Sequence, residues 1–409
     1  MTKAHKRRGL GMALILAAAA AIAMGTPMAA SAAPSSSNSP TAPPCTISAQ
    51  QVKNAGHNIH AAGVIVAAGT SSTCQDPPPP PEPAFNGTPP LLFHGSPPTC
   101  FFSPCENGNV MMTVTNGPLI VTPIFWIPPG GSMSPTYRSI MLAYLAAVAA
   151  ASGRDSNVFS VANEYFGNNG QIHYNIRLGV PVNDNHPIKN GCTLEAADRT
   201  GIYADGSGYN ACVDDAQLQG EIDRITALGG LQHNLRNIYV LFLPKHVESC
   251  FLPGETTDPS DGQFCTINHQ PTAAFCAYHN ESASSAVYAD LAYPIYQSPV
   301  GFTCGSDARF PVVESPNGNP DGDTEVSPVS HEMNEAITDP DTETGWYDRT
   351  GNENGDDCAY IYGATQGTPG RLYNQTIAGF HFLTQQEFSN NVFKASHGKA
   401  GCVDSLADE

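Results

Sequence analysis

Residues 1–32 limit what the rest of the chain can become. They read in order as a basic head (Lys3, Lys6, Arg7, Arg8), an apolar run from Met12 to Met24, and a small-residue exit at Ala30-Ser31-Ala32, the pattern of a cleavable secretory signal. The run is shorter than the ~20 apolar residues a membrane span needs, and no later stretch approaches that length. The expectation is a secreted, extracellular or cell-wall-associated protein with no membrane span in its mature form. Export to an oxidising compartment then gives the twelve cysteines a fate, which is pairing as disulfides. Their spacings do not follow a zinc-finger pattern. Candidate local pairs are Cys45 with Cys74, Cys192 with Cys212, and Cys358 with Cys402, and sequence leaves the connectivity open.

Charge excludes some partners. Thirty-seven Asp and Glu against eighteen Lys and Arg give a formal charge of −19, and loss of the leader removes four cations and no acid, leaving about −23. Nucleic acid and anionic lipid are poor partners for such a surface. Acidity serves solubility or cation binding, and only the placement of the carboxylates separates the two.

Composition shifts divide the chain. Residues 33–44 are a Ser, Pro, Ala and Asn linker, and residues 75–99 form a second linker that contains Pro77 to Pro81. Between them, 45–74 is a small disulfide-looped segment, too short for a core of its own. The globular domain is expected over 100–409. Within it, Val110 to Val114 and Leu119 to Trp126 read as two strands across Asn116-Gly117. Ser134-Pro135 caps an amphipathic helix through Val148. Ile172 to Val180 alternates as a strand, and Leu218, Ile222, Ile225 and Leu228 stripe a second helix that stops at Gly229-Gly230. Ile238 to Leu243 has the continuous apolar run of a strand covered on both faces. Tyr288 to Tyr293 reads as a strand that Pro294 terminates or confines to an edge. Another helix is expected from Ser327-Pro328. The order predicts an α/β domain (α+β being the neighbouring class), with helices packed on a single sheet and disulfide staples.

That last helix carries the chemistry. It reads Pro328-Val329-Ser330-His331-Glu332-Met333-Asn334-Glu335-Ala336-Ile337-Thr338, followed by Asp339-Pro340. His331 and Glu335 share a face one turn apart, opposite the stripe of Val329, Met333, Ala336 and Ile337. In H-E-x-x-H helices two histidines hold zinc while the intervening Glu serves as base toward the metal-bound water. Here the fifth position is Glu335, which can ligate zinc through oxygen but also suits harder ions. Glu353 is the expected third ligand, eighteen residues after Glu335, with Asp356 and Asp357 supporting it. Asp341 competes for that place, and Asp339 is a further candidate. Glu332 is the catalytic candidate. Zinc is the cofactor this pattern favours, and calcium on the oxygens of Asp339, Asp341, Asp348, Asp356 and Asp357 is the alternative. The bland reading is a solvated acidic face. His269, His279 and His381 read as ordinary hydrogen-bonded residues.

These motifs resemble the Exordium, or phosphate-induced protein, family of secreted plant cell-wall proteins and their bacterial relatives. The likeness rests on Gly117-Pro118-Leu119 leading to Ile124-Phe125-Trp126, on Asn237 to Leu241, and on Phe275-Cys276-Ala277-Tyr278-His279. It continues through Pro316-Asn317 with Asp321, His331-Glu332-x-x-Glu335 with Asp339-Pro340, Trp346-Tyr347, Glu353-x-x-Asp356-x-Cys358 and Tyr362-Gly363. It spans about Gly117 to Val403 and implies an extracellular or cell-surface setting. The family's pattern does not require an acid at Asp341, which favours Glu353 as third ligand. The order of elements, with an edge strand ahead of the H-E-x-x-E helix, also looks like the zinc-peptidase (zincin) arrangement, a likeness of fold alone.

Two functions follow as expectations. The first is a secreted metal-dependent hydrolase, a metallopeptidase or an enzyme acting on another extracellular polymer, with His331, Glu335 and Glu353 on the metal and Glu332 as base. The second is a non-catalytic extracellular or cell-wall-associated protein whose acids are structural or bind calcium.

Overall fold

The structure, a computed structural model, describes residues 64–66, 88–95, 108–189, 211–251, 264–266, 275–294, 304–342 and 344–408. Its centre is a seven-stranded mixed sheet. In chain order the strands are β1 (Val64–Val66), β2 (Leu119–Trp126), β3 (Ile176–Leu178), β4 (Val182–Asp184), β5 (Asn237–Phe242), β6 (Phe275–Glu281) and β7 (Val287–Leu291). Spatially they run β1-β6-β7-β5-β2-β3, with β4 also on β2. The pairs β7 with β5, β5 with β2, and β2 with β3 and β4 are parallel, whereas β6 is antiparallel to both its neighbours.

Alternation explains why the sheet is covered twice. Ile238, Val240 and Phe242 of β5 enter one apolar cluster, and Tyr239 and Leu241 enter the other. A strand buried on both faces needs apolar side chains at every position, which is the run seen in the sequence. Helices α1 (Pro135–Ala150) and α3 (Pro320–Thr338) lie in the first cluster, and α2 (Asp215–Gly229) lies in the second. The architecture is therefore the expected mixed α/β one. Pro123 sits inside β2 without breaking it. Proline has no N–H to give a neighbour, and on its outer side the partner changes from β3, which ends at Leu178, to β4, which begins at Val182.

The helix signals of α1 and α2 act as their sequences imply. Ser134 accepts from the backbone N–H of Tyr137, with Pro135 in the first helical turn. Asp214 and Gln217 form a reciprocal capping box, and Gly230 closes α2 in the left-handed region at φ 61°.

Helix α3 departs from expectation in two ways. It starts at Pro320, not at Ser327-Pro328, because the Asn319 side chain caps the N–H of Gly322 at 2.8 Å and Pro320 fills the first turn. Pro328 thus lies inside the helix, where it has no N–H to donate to the Thr324 carbonyl. Every residue from Gly322 to Thr338 is buried, which removes the solvated acidic face as an explanation of its charges. The side opposite the sheet is closed by the C-terminal segment, whose Gln385 N–H donates to Ser327 Oγ at 3.0 Å.

Other boundaries also move. Strand β7 is interior rather than an edge, because β6 lies outside it. Val110 to Met112 is irregular, and Thr113 makes only an isolated bridge to Ile172. From the region read as linkers and looped segment, Val64–Val66 joins the sheet as β1, and Leu92–Phe93 pairs with Trp346–Tyr347. Leu91 is fully buried, so the packed body begins before residue 100. Cys358–Cys402 is bonded as expected, and Cys276–Cys304 is a second disulfide. Cys212 and Cys250 are also disulfide-bonded. Cys45, Cys74 and Cys192 lie outside the described residues, as do residues 1–63 with the leader and first linker. No helix among the described residues is long and apolar enough to cross a membrane.

Candidate metal centre

Three pieces of chain converge on one point between sheet and helix. Helix α3 supplies His331, Glu332 and Glu335, β6 supplies His279, and the loop after Trp346–Tyr347 supplies Glu353 and Asp356. The loop is held by its own turns. Asp348 Oδ1 accepts from the N–H groups of Thr350 at 2.7 Å and Asn352 at 2.8 Å, and the Cys358–Cys402 disulfide anchors its far end. Its backbone then docks on the helix, the Asp356 N–H donating to Glu335 Oε1 at 3.0 Å. Gly355 is needed at that contact. A Cβ there would stand 2.8 Å from His331 Nδ1 and 3.0 Å from Glu335 Oε1.

Two groups of ligand-type atoms result, each with all members within 4.8 Å of one another: His279 with Glu332 and Glu335, and His331 with Glu335 and Asp356. His279, His331, Glu332, Glu335 and Glu353 are all fully buried, and the Asp356 side chain is 5% exposed. Charge at this depth requires compensation by pairing or a bound cation.

His279 has the geometry of a prepared ligand. Its Nε2 lies 3.1 Å from the Asp339 carbonyl, which only accepts, so Nε2 carries a proton. Burial pushes this imidazole down to about 4, so it is neutral at pH 7 and Nδ1 keeps its lone pair. That lone pair faces Glu332 Oε2 at 3.4 Å and Glu335 Oε2 at 3.7 Å. Lone pairs set against carboxylate oxygens repel unless a cation or proton stands between them. Around a tetrahedral ion with bonds of ~2.0–2.1 Å, neighbouring donors are roughly 3.3–3.4 Å apart, close to these distances. An imidazole whose other nitrogen donates to a backbone carbonyl is the usual outer support of a metal ligand.

His331 is arranged differently. Its Nε2 is 2.9 Å from Glu335 Oε1 and 3.8 Å from Asp356 Oδ1, yet it is not aligned to donate to either. Gln385 Nε2 donates to the Gly355 carbonyl at 2.7 Å and to His331 Nδ1 at 2.8 Å. With Nδ1 accepting, the proton sits on Nε2. Burial works against the charged imidazole, but the carboxylates of Glu335 and Asp356 outweigh it and carry the group upward. A metal at Nε2 would displace that proton, and Gln385 would then turn its Oε1 toward Nδ1–H.

The expected residues are thus partly regrouped. His331 and Glu335 come together, and Asp356 rather than Glu353 completes their group. Glu353 Oε1 lies 3.8 Å from His279 Nε2, on the opposite edge of that ring from Glu332 and Glu335. Glu332 belongs to the group of His279. Asp339 acts through its backbone carbonyl, while its side chain accepts from the N–H groups of Thr344 and Gly345. Asp341 and Asp357 enter neither group. His279, read from sequence as an ordinary hydrogen-bonded residue, is a central member, and no helical spacing marks a strand histidine. Glu387 was missed as well. It is fully buried near the centre, and burial with the charges of Glu335 and Asp356 pushes its carboxyl well above the usual range. The donor set of imidazole nitrogens and carboxylate oxygens fits zinc or another transition metal, and two imidazoles count against calcium.

No protein-family model, no curated protein and no solved structure matches this chain.

Proposed function

We propose that this protein is an extracytoplasmic metalloprotein whose buried transition metal clamps β6 and α3 together. The observation that carries the reading is His279 Nδ1, its partner nitrogen turned to the Asp339 carbonyl, facing two carboxylate oxygens across ligand-like distances. Full burial of the donors makes this a closed site, the form structural metals take, whereas catalytic metals keep an open position. The predicted leader, the disulfides and the likeness to Exordium proteins support a place outside the cytoplasm, at a cell surface or wall.

The pattern His331-Glu332-x-x-Glu335 favours a second reading, hydrolysis of a peptide or other extracellular polymer, in which zinc lowers the pKa of a water and Glu332 takes its proton. The experiment is metal analysis of the purified chain, followed by chelation, thermal melting and incubation with an unfolded protein substrate. The clamp predicts a stoichiometric transition metal, a lower melting temperature after chelation and intact substrate. Metal-dependent cleavage would establish hydrolysis instead, and a chain that takes up no transition metal would end both readings.

A further inference from the structure

The two ligand groups share one residue, and they share it through different atoms. Glu335 Oε2 faces His279, and Glu335 Oε1 faces His331. On either side of this carboxylate stand one imidazole nitrogen and one further carboxylate: His279 Nδ1 with Glu332 Oε2, and His331 Nε2 with Asp356 Oδ1. The two halves present separate ligand sets. Each oxygen of Glu335 has its own imidazole, and the two histidines come from different elements, β6 and α3.

We propose that the centre binds two transition-metal ions, with Glu335 as the carboxylate that bridges them. The inference rests on the metal-binding reading above and adds a second ion to it. The first ion takes His279 Nδ1, Glu332 Oε2 and Glu335 Oε2. The second takes His331 Nε2, Glu335 Oε1 and Asp356 Oδ1. Ions bridged in this way stand ~3.5–4 Å apart. His331 Nε2 is fully buried and stands 2.9 Å from Glu335 Oε1 without an aligned hydrogen bond, an arrangement that a cation held between the two would satisfy. The halves differ in readiness. The carbonyl of Asp339 already orients His279, whereas His331 requires Gln385 to turn, so the His279 half fills first and holds its ion more tightly.

This assignment makes Glu332 a ligand, which separates it from a role as base alone. The full chain, freed of metal and reloaded with Mn2+ or Zn2+, should hold two ions. Glu332→Gln and Asp356→Asn, which keep side-chain shape, should each hold one, and Glu335→Gln should hold fewer than one. Should a variant fail to fold, the wild type still decides, because a bridged Mn2+ pair gives an exchange-coupled electron paramagnetic resonance signal in place of the six-line spectrum of an isolated ion. One ion per wild-type chain with an isolated spectrum overturns the bridge while leaving the metalloprotein reading intact. No ion at all overturns both. Full occupancy retained in Glu332→Gln would also refute the assignment.

Discussion

Replacing Gly355 with alanine sets two effects against each other, and the structure decides between them. Gly355 has φ −75° and ψ −42°, a helical conformation that alanine adopts freely. Backbone arguments alone therefore predict stabilisation of about 0.4–1 kcal/mol, from the reduced freedom of the unfolded chain. The new methyl, however, would sit 2.8 Å from His331 Nδ1 and 3.0 Å from Glu335 Oε1, short of ordinary contact by roughly half an ångström or more. Neither neighbour is a free side-chain end, since both are fully buried and His331 is also held by Gln385. Overpacking of this kind costs about 1–3 kcal/mol, so the net effect is a loss of about 1–2 kcal/mol. At ~2–4 °C per kcal/mol, the melting temperature falls by about 2–8 °C. Because the displaced side chains carry proposed ligand atoms, competition against a chelator should also show weaker metal retention. An alanine variant that melts at or above the wild type and keeps its metal would refute the loop docking and the crowding argued from it.

Three further outcomes are expected. Removing the Cys358–Cys402 bond by a double Cys→Ser change releases a loop with a sequence separation of 44; the chain-entropy relation gives a loss of about 4 kcal/mol, measured by denaturant titration, and an unchanged midpoint would contradict it. Asp290 is fully buried, and burial raises its carboxyl to about 7 from 3.8. A carboxyl raised on folding binds its proton more tightly in the native state, so its contribution is greatest below pH 4 and declines as pH rises to about 7. Asp290→Asn should therefore gain stability relative to wild type across that window, and a difference independent of pH would show that Asp290 is not held protonated. Chelation should lower the melting temperature by roughly 10 °C if free metal had stood near a thousand times its dissociation constant, a linkage of about 4 kcal/mol; equal melts in zinc and chelator would oppose it.

Sequence periodicity and capping revealed the parts of the fold governed by local rules. Ser134-Pro135, Asp214 with Gln217, and Gly230 delimit α1 and α2 by short-range hydrogen bonds, and those signals needed no tertiary context. Helix α3 was legible in its H-E-x-x-E pattern but not in its start, because Ser327-Pro328 offers a second, locally reasonable cap inside a longer helix. Strand β6 was not identified as a strand, since its sequence Phe-Cys-Ala-Tyr-His-Asn-Glu lacks clean apolar alternation. Its fully buried polar residue, His279, is explained only by what lies across from it. The candidate site was legible where its ligands share a helix face, at His331 and Glu335. Contributions from other elements, His279, Gln385 and Glu387, depend on tertiary closure that sequence spacing does not encode.

The most direct measurement of the central claim is anomalous diffraction at a metal absorption edge from crystals of the reloaded protein. The account predicts a peak within bonding distance, ~2.0–2.2 Å, of His279 Nδ1, Glu332 Oε2 and Glu335 Oε2, and a second beside His331 Nε2 and Asp356 Oδ1. A centre that gives no anomalous density between β6 and α3, or density only at surface carboxylates, would contradict it.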